Sequence, residues 1–146
     1  MQSESFGEVF IDASFWLAYA NPRDERSRLA SRIWNDLSRQ RLGLVTTNWT
    51  LYEALTYLNS RRTGRHDLAE RLLDVARRRA QVVDASQFEQ QALDIFISHS
   101  DKRWSVVDCA NFVCIRERGS LFASSFDRDF VQAQSEFSFR VLGLRS

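Results

Sequence analysis

The stretch "VFIDASFWLAYA", residues 9–20, places one carboxylate, Asp12, in a run that is otherwise almost entirely apolar or aromatic. The apolar residues before Asp12 predict a buried strand at 8–12, and the residues after it predict a short helix that Pro22 ends. Burying an ionised carboxylate without a partner costs free energy, so the position of Asp12 needs an explanation. A role as the N-cap of the following helix would be sufficient.

Short apolar runs alternate with longer helical patterns along the rest of the chain, which predicts an α/β domain with a mostly parallel sheet. Further strands are predicted at 42–47, 80–84, 120–125 and 139–144. With the helices between them, the predicted order is β-α-α-β-α-α-β-α-α-β-α-β. A chain of 146 residues fits one domain, 1–146, in which we expect residues 1–7 to form a short flexible lead.

Capping signals mark the starts of two predicted helices and the end of one of them. Ser86 with Glu89, and Ser105 with Asp108, have the three-residue spacing of a capping box. Gly119 is expected just past the end of the helix that Ser105 begins. These signals fix two helix starts more firmly than apolar periodicity alone would.

The composition limits the classes of function. A formal net charge of +1 argues against a protein that coats nucleic acid by bulk electrostatics. Nineteen of the 20 cationic residues are arginines, whose guanidinium groups pair well with carboxylate or phosphate. We expect no membrane association and a cytoplasmic protein. Cys109 and Cys114 suit neither a disulfide nor a metal knuckle and are expected to be core thiols.

Four acidic residues lie in apolar surroundings: Asp12, Glu53, Asp108 and Asp127. Two of them follow predicted strands and two lie early in predicted helices, positions that converge on the carboxyl edge of a parallel sheet, where ligands of such folds bind. Clustered carboxylates repel one another, and a divalent cation removes that repulsion. Oxygen-only ligands favour Mg²⁺ or Mn²⁺, and Mg²⁺ in such a site is completed by a phosphate-bearing substrate.

Each of these acids also has an ordinary interpretation. Asp12, Asp108 and Asp127 could serve only as helix caps. Glu53, in "TLYEALTYL", is harder to explain in that way. Asp84, in "VVDASQF", repeats the Asp-Ala-Ser of the opening stretch, and the capping box of Ser86 is sufficient to account for it. An Asp at the end of a strand is therefore not, by itself, evidence of a site.

Four segments resemble, in order and spacing, the acidic motifs of the PIN-domain family, particularly the VapC-type toxins: "VFIDASFWLAYANPRD", "LVTTNWTLYEALTYL", "WSVVDCANFVCIRERG" and "LFASSFDRDF". Their acids are separated by 41, 55 and 19 residues. The resemblance runs from about Val9 to the final strand. It implies a three-layer α/β/α PIN-like domain with a four- or five-stranded, mostly parallel sheet, and a metal-dependent ribonuclease that hydrolyses single-stranded RNA.

The resemblance also implies roles for individual residues. It assigns metal binding and catalysis to the four acids, with the first and third as principal ligands of Mg²⁺ or Mn²⁺: Asp12, Glu53, Asp108 and Asp127. Ser14 and Ser105 are expected to be supporting polar residues. Asp129 stands where relatives often have a histidine, and it is either a fifth acidic ligand or simply a surface residue, the interpretation that we favour.

The partners implied are an RNA substrate, a cognate antitoxin whose C-terminal segment covers the groove, and a second copy in a homodimer. Arg61, Arg62 and Arg65 begin an arginine-rich stretch that could contact RNA phosphates or an acidic antitoxin segment, or could simply form a solvated face. The alternatives are a PIN fold that binds RNA or acts as a scaffold without catalysis, and a PIN nuclease outside any toxin-antitoxin pair.

Overall fold

Five parallel strands form one sheet in the computed structural model, which describes residues 7–144. The strands follow the order β3-β2-β1-β4-β5, so β1 lies at the centre and β3 and β5 form the edges. Their bounds are β1 Glu8–Ile11, β2 Gly43–Thr47, β3 Gln81–Val83, β4 Phe122–Ser124 and β5 Arg140–Leu142. Of the predicted lead at 1–7, only Gly7 lies within the described residues.

Seven α-helices connect the strands. Their bounds are α1 Ala13–Ala20, α2 Ser27–Arg39, α3 Asn48–Leu58, α4 His66–Arg79, α5 Glu89–Ser98, α6 Val106–Arg118 and α7 Arg128–Ala133, with a 3₁₀ turn at Ala85–Phe88. This succession confirms the predicted order of elements and the α/β fold. The structure shortens the strands predicted at 80–84, 120–125 and 139–144 to three residues each.

Side chains of β1 alternate between two apolar cores. Phe10 packs with α5, α6 and α7 on one face of the sheet, whereas Val9 and Ile11 pack with α1 to α4 on the other. All three are fully buried. The period of two in a strand explains this alternation, and the sheet lies between two helical layers as the three-layer expectation required.

The capping predictions had mixed outcomes. Ser105 and Asp108 form a complete capping box at the start of α6, and Gly119 ends that helix in the left-handed conformation with φ 65°. The predicted box of Ser86 and Glu89 is wrong. The carboxylate of Asp84 accepts the N–H of Ser86, so the chain first makes the 3₁₀ turn, and α5 begins at Glu89 without a side-chain cap.

The two cysteines are buried and unpaired, which confirms the expectation of core thiols. Burial raises the pKa of both Cys109 and Cys114 to about 11, so neither is a reactive thiolate near neutral pH. Within residues 7–144, no helix has the length and apolar character needed to span a membrane.

Candidate metal centre

Asp12 lies at the carboxyl end of the central strand, only 4% exposed. Its Oδ2 accepts hydrogen bonds of 2.8 Å from the hydroxyls of Ser14 and Ser125. Asp12 occupies the N-cap position of α1, but its side chain forms no capping hydrogen bond there. Burial raises the pKa of Asp12 while the two hydroxyls oppose that shift. The capping alternative therefore does not explain this side chain.

The same two serines connect the end of β1 with the loop that follows β4. The Ser14 hydroxyl accepts the N–H of Phe126 at 2.9 Å, and the Ser125 hydroxyl accepts the N–H of Asp127 at 3.0 Å. The backbone N–H of Asp12 donates to the carbonyl of the residue before Ser125, at 3.1 Å. These bonds fix the positions of Asp12 and Asp127 relative to each other.

Asp108 lies in the first turn of α6, where its carboxylate accepts the N–H of Ser105 and its own N–H donates to the Ser105 hydroxyl. Burial raises the pKa of Asp108 to about 7, and the carboxylates of Asp12, Asp127 and Asp129 add to that rise. Asp108 therefore both caps α6 and belongs to the acidic cluster. Within residues 7–144, the hydrogen bonds of Ser105 that involve a side chain are to Asp108.

Asp129 belongs to the cluster, contrary to our preference for a surface role. One carboxylate oxygen from each of Asp108, Asp127 and Asp129 lies within 4.8 Å of the other two. Asp127 caps α7 by accepting the N–H of Asp129 at 2.9 Å, which brings the two side chains to the same place. Burial and the charge of Asp127 raise the pKa of Asp129.

Glu53 approaches the cluster from α3. Its pKa is raised by burial and by the negative charge of Asp12. A buried amide positions this helix: the Asn111 side chain accepts from the Thr47 hydroxyl at 2.8 Å and donates to the Thr50 hydroxyl at 2.5 Å. Thr50 lies one turn before Glu53, and Asn111 one turn after Asp108 on α6. This contact therefore fixes the two helices that carry Glu53 and Asp108.

Five carboxylates thus influence one another electrostatically: Asp12, Glu53, Asp108, Asp127 and Asp129. Only Asp108, Asp127 and Asp129, among the described residues, form a group whose oxygens all lie within 4.8 Å of one another, and Asp12 and Glu53 are not part of that close group. Across residues 7–144, none of the five forms an ion pair with an arginine, lysine or histidine. Burial is the main cause of the raised pKa values of Asp12, Glu53, Asp108 and Asp129, and neighbouring carboxylates add to it. The donors are all oxygen, which fits Mg²⁺ or Mn²⁺ better than zinc or copper.

Other predicted residues lie elsewhere or have other partners. Asp84 is exposed at the end of the edge strand β3. Arg65 is already bound in bidentate fashion to Asp67, with two distances of 2.9 Å. Arg61 and Arg62 are exposed in the turn after α3, and neither forms an ion pair within the described part of the chain. They remain accessible to an anionic partner.

Residues 9–135 match the family model described as PIN domain. The chain belongs to the PIN-domain family. This confirms the resemblance of the acidic segments, and the matched range contains all five carboxylates of the cluster. The PIN fold thus accounts for the parallel sheet and for the position of the acids at its carboxyl edge.

Similarity to individual PIN proteins extends over most of the chain. The 23S rRNA-specific endonuclease VapC20 of Mycobacterium tuberculosis is 34% identical over 128 residues, which cover 86% of this chain and 93% of the relative, in each of two strains. The crystal structure of M. tuberculosis VapC20, described as a toxin that cleaves the sarcin-ricin loop, superimposes with a TM-score of 0.78 at 28% identity. That superposition covers 94% of this chain and 99% of VapC20.

Sequence reasoning missed two residues that organise this PIN site, Ser125 and Asn111. Ser125 stands two residues before Asp127 in "ASSFD", where its hydroxyl could have been expected to reach a neighbouring strand end. Asn111 is the polar exception in "CANFVCI", and it is 1% exposed. A buried polar residue one helical turn from a candidate ligand is the signal that could have found it.

Proposed function

We propose that this protein is a metal-dependent endoribonuclease that hydrolyses phosphodiester bonds in single-stranded parts of RNA, and that it is the toxin of a toxin-antitoxin pair. The observation that carries the proposal is the group of three carboxylates at the carboxyl edge of the sheet, Asp108, Asp127 and Asp129, which have no cationic partner in residues 7–144 and lie within the electrostatic influence of Asp12. The similarity to VapC20 supports an unpaired loop of ribosomal RNA as the substrate class, and a cytoplasmic site of action.

In this proposal Asp12 and Asp108 are the principal ligands of Mg²⁺ or Mn²⁺, and Glu53, Asp127 and Asp129 complete the site. When bound, the ion lowers the pKa of water to supply a nucleophile and offsets the negative charge of the scissile phosphate. The chain itself orients the ligands. The two serine hydroxyls hold the Asp12 carboxylate, and the capping box holds that of Asp108.

The negative charge of the cluster also bears on substrate binding. Crowded carboxylates repel a phosphodiester, so RNA approaches the site only when their charge is offset. Protonation of Asp108, whose pKa is about 7, would offset only part of that charge. A bound Mg²⁺ or Mn²⁺ would offset the remaining charge, and the carboxylates that would hold it would then bear on binding of the scissile phosphate as well as on hydrolysis.

Exposed side chains support the proposed partners. Arg61 and Arg62, exposed beside α3, are available to RNA phosphates or to an acidic antitoxin segment, whereas Arg65 must first release Asp67. A homodimer is supported by exposed apolar side chains on α5, Phe96 at 45% and Ile97 at 74% exposure. Sedimentation analysis of the purified protein tests the dimer.

Cleavage of an RNA stem-loop with the sarcin-ricin sequence tests the nuclease. We expect cleavage in Mg²⁺ or Mn²⁺, loss of cleavage in EDTA, and a fall of at least about 100-fold in kcat/KM for Asp108→Asn. Equal cleavage by the wild type and Asp108→Asn, or cleavage that survives EDTA, would show that the metal-carboxylate mechanism is wrong. Binding of RNA without cleavage would favour the non-catalytic alternative.

Expression in cells tests the toxin. We expect growth arrest by the wild type, none by Asp108→Asn, and relief when a cognate antitoxin is expressed with it. Cleavage in vitro without growth arrest would favour a PIN nuclease outside any toxin-antitoxin pair.

A further inference from the structure

An RNA-cleaving site built from carboxylates needs positive charge at its rim to hold the polyanion. Several arginines are already paired with carboxylates: Arg39 with Asp36, Arg65 with Asp67, Arg78 with Asp74, and Arg118 with Glu8. Those guanidinium groups would have to give up a partner before binding phosphate. An arginine that is held in place by something other than a carboxylate is better suited to the task.

Three arginines lie over aromatic rings within the part of the chain that is described. The distances from the guanidinium carbon to the ring centroid are 5.3 Å for Arg26 on Phe126, 5.3 Å for Arg79 on Trp34 and 5.2 Å for Arg116 on Phe137. These three arginines lie near different ends of the strands.

Arg79 is the last residue of α4, just before β3 begins, and Arg116 lies in the last turn of α6, before β4. Both therefore lie toward the amino ends of the strands, away from the acidic cluster. Arg26 precedes α2 and packs on Phe126, which follows the end of β4. Of the three, Arg26 lies at the carboxyl edge, where the acids are.

The ring that holds Arg26 is part of the framework of the acidic cluster. Phe126 is 7% exposed, and its ring stacks on that of Phe15 with centroids 5.8 Å apart. Its N–H donates to the Ser14 hydroxyl, which also donates to the Asp12 carboxylate. Phe126 immediately precedes Asp127. The position of the Arg26 guanidinium is thus tied, through one ring, to the acids themselves.

The Arg26 side chain is held in place, and its guanidinium is exposed and can bind an anion. The backbone N–H of Arg26 donates to the carboxylate of Asp24 at 2.8 Å, and the Arg26 side chain is exposed. No carboxylate of residues 7–144 forms an ion pair with its guanidinium. A guanidinium that is already ordered loses less side-chain entropy when it binds an anion, and its planar fork matches two phosphate oxygens.

We propose that Arg26 binds a phosphate of the RNA substrate next to the scissile one, with Phe126 holding the guanidinium in position. The inference rests on the proposed function for the identity of the polyanion. It assigns Arg26 to substrate binding, since its guanidinium contacts the wall of the site and none of the five carboxylates. Arg26 therefore contributes to KM more than to kcat.

The test measures RNA binding separately from cleavage. The protein carries Asp108→Asn to prevent cleavage, and it is titrated into the fluorescein-labelled sarcin-ricin stem-loop at several salt concentrations. The same titration is done with double variants that combine Asp108→Asn with Arg26→Ala, Arg26→Lys or Arg28→Ala. Arg28 is the matched control, because it is an exposed arginine two residues away that packs on no aromatic ring in the described structure. Arg28→Ala and Arg26→Ala change the net charge by the same amount.

We expect Arg26→Ala to weaken binding by roughly tenfold and to reduce the slope of log K against log salt by about one, as loss of a phosphate contact does. Arg26→Lys keeps the charge but loses the planar fork, so it recovers binding only in part. Arg28→Ala stays within about twofold of its parent. In the cleaving background, Arg26→Ala raises KM with little change in kcat.

Equal binding by Arg26→Ala and Arg28→Ala would overturn the inference. If the loss of the proposed ligand Asp108 prevents RNA binding in this background, an equal KM for Arg26→Ala and Arg28→Ala in the cleaving background would overturn it instead. A lower Mn²⁺ affinity or a lower Tm in Arg26→Ala would show a structural role instead. The two proposals can fail separately. If the wild type cleaves but Arg26→Ala behaves like the control, only the inference is wrong. If Arg26→Ala binds weakly but the wild type never cleaves, only the nuclease proposal is wrong.

Discussion

Asp-Ala-Ser occurs at the end of two parallel strands of this molecule, once after β1 and once after β3, and the two aspartates have opposite environments. Asp12 is 4% exposed, accepts two serine hydroxyls and has a raised pKa. Asp84 is exposed, accepts the backbone N–H of Ser86 and has a lowered pKa. The same Asp-Ala-Ser tripeptide therefore places one aspartate in a buried acidic cluster and the other in an exposed helix cap.

The place of each strand in the sheet explains the difference. β1 is central, so the end of β4 lies beside Asp12 and supplies Ser125 and Asp127. β3 is an edge strand that pairs only with β2, and the side chain that reaches Asp84 from there is Asn48, at 3.4 Å. Desolvation and neighbouring negative charge raise the pKa of one acid, while hydrogen bonds from N–H groups lower that of the other.

Replacing each aspartate with asparagine should give the largest contrast. Asp12→Asn removes a proposed principal ligand, and we expect kcat/KM for RNA cleavage to fall by at least about 100-fold. Asp84→Asn alters only a cap far from the cluster, and we expect activity within about twofold of the wild type. Steady-state cleavage of the sarcin-ricin stem-loop measures both. Similar losses in the two variants would mean that Asp84, too, belongs to the site.

Two serines that donate hydrogen bonds to these aspartates, Ser125 to Asp12 and Ser86 to Asp84, give a smaller contrast of the same kind. Ser125→Ala removes one of the two hydroxyls that orient the Asp12 carboxylate, and we expect Mn²⁺ affinity to fall by roughly 10-fold to 100-fold. Ser86→Ala should leave that affinity unchanged, because Asp84 lies outside the cluster. Calorimetric titration with Mn²⁺ provides the measurement. An unchanged affinity in Ser125→Ala would show that Asp12 is oriented by other contacts.

Much of the fold could be predicted because local patterns and tertiary packing agree. The apolar run before Asp12 is fully buried between two helical layers, as its hydrophobicity indicates. Ser105, Asp108 and Gly119 set the bounds of α6 by local hydrogen bonds and backbone conformation, which the sequence carries directly. The four strand-end and early-helix acids were predicted to converge because parallel topology alone brings such positions to one edge.

The remaining features depend on contacts between residues distant in sequence. Ser125 is 113 residues from Asp12, and Asn111 is 61 residues from Thr50, so no local pattern pairs them. Asp129 looked like a surface residue because its partner in the cluster, Asp108, lies on another helix. The predicted capping box of Ser86 and Glu89 failed for a local reason. The carboxylate of Asp84, two residues earlier, accepts the N–H of Ser86 that the Glu89 side chain would accept in the box.

The stability of the metal-free protein should depend on pH with opposite signs at Asp108 and Asp84. The pKa of Asp108 is about 7 in the folded protein and has its ordinary value near 4 in the unfolded chain. Between those values the folded state binds more protons, so this residue lowers stability as pH rises from about 4 to about 7. The lowered pKa of Asp84 has the reverse effect, contributing stability above its ordinary value that is lost as pH falls through its folded value.

Thermal unfolding in EDTA at pH 5.5 and 7.5 measures this difference. At pH 7.5 we expect Asp108→Asn to raise Tm by roughly 3–6 °C and to reduce the fall in Tm between the two pH values, because asparagine can still accept the N–H of Ser105 without adding charge to the cluster. Asp84→Asn should leave that fall unchanged. Mn²⁺ should raise the Tm of the wild type more at pH 7.5 than at pH 5.5, since protons compete with the ion for the same oxygens. If the Tm of Asp108→Asn falls between the two pH values as much as that of the wild type, the raised pKa of Asp108 is contradicted.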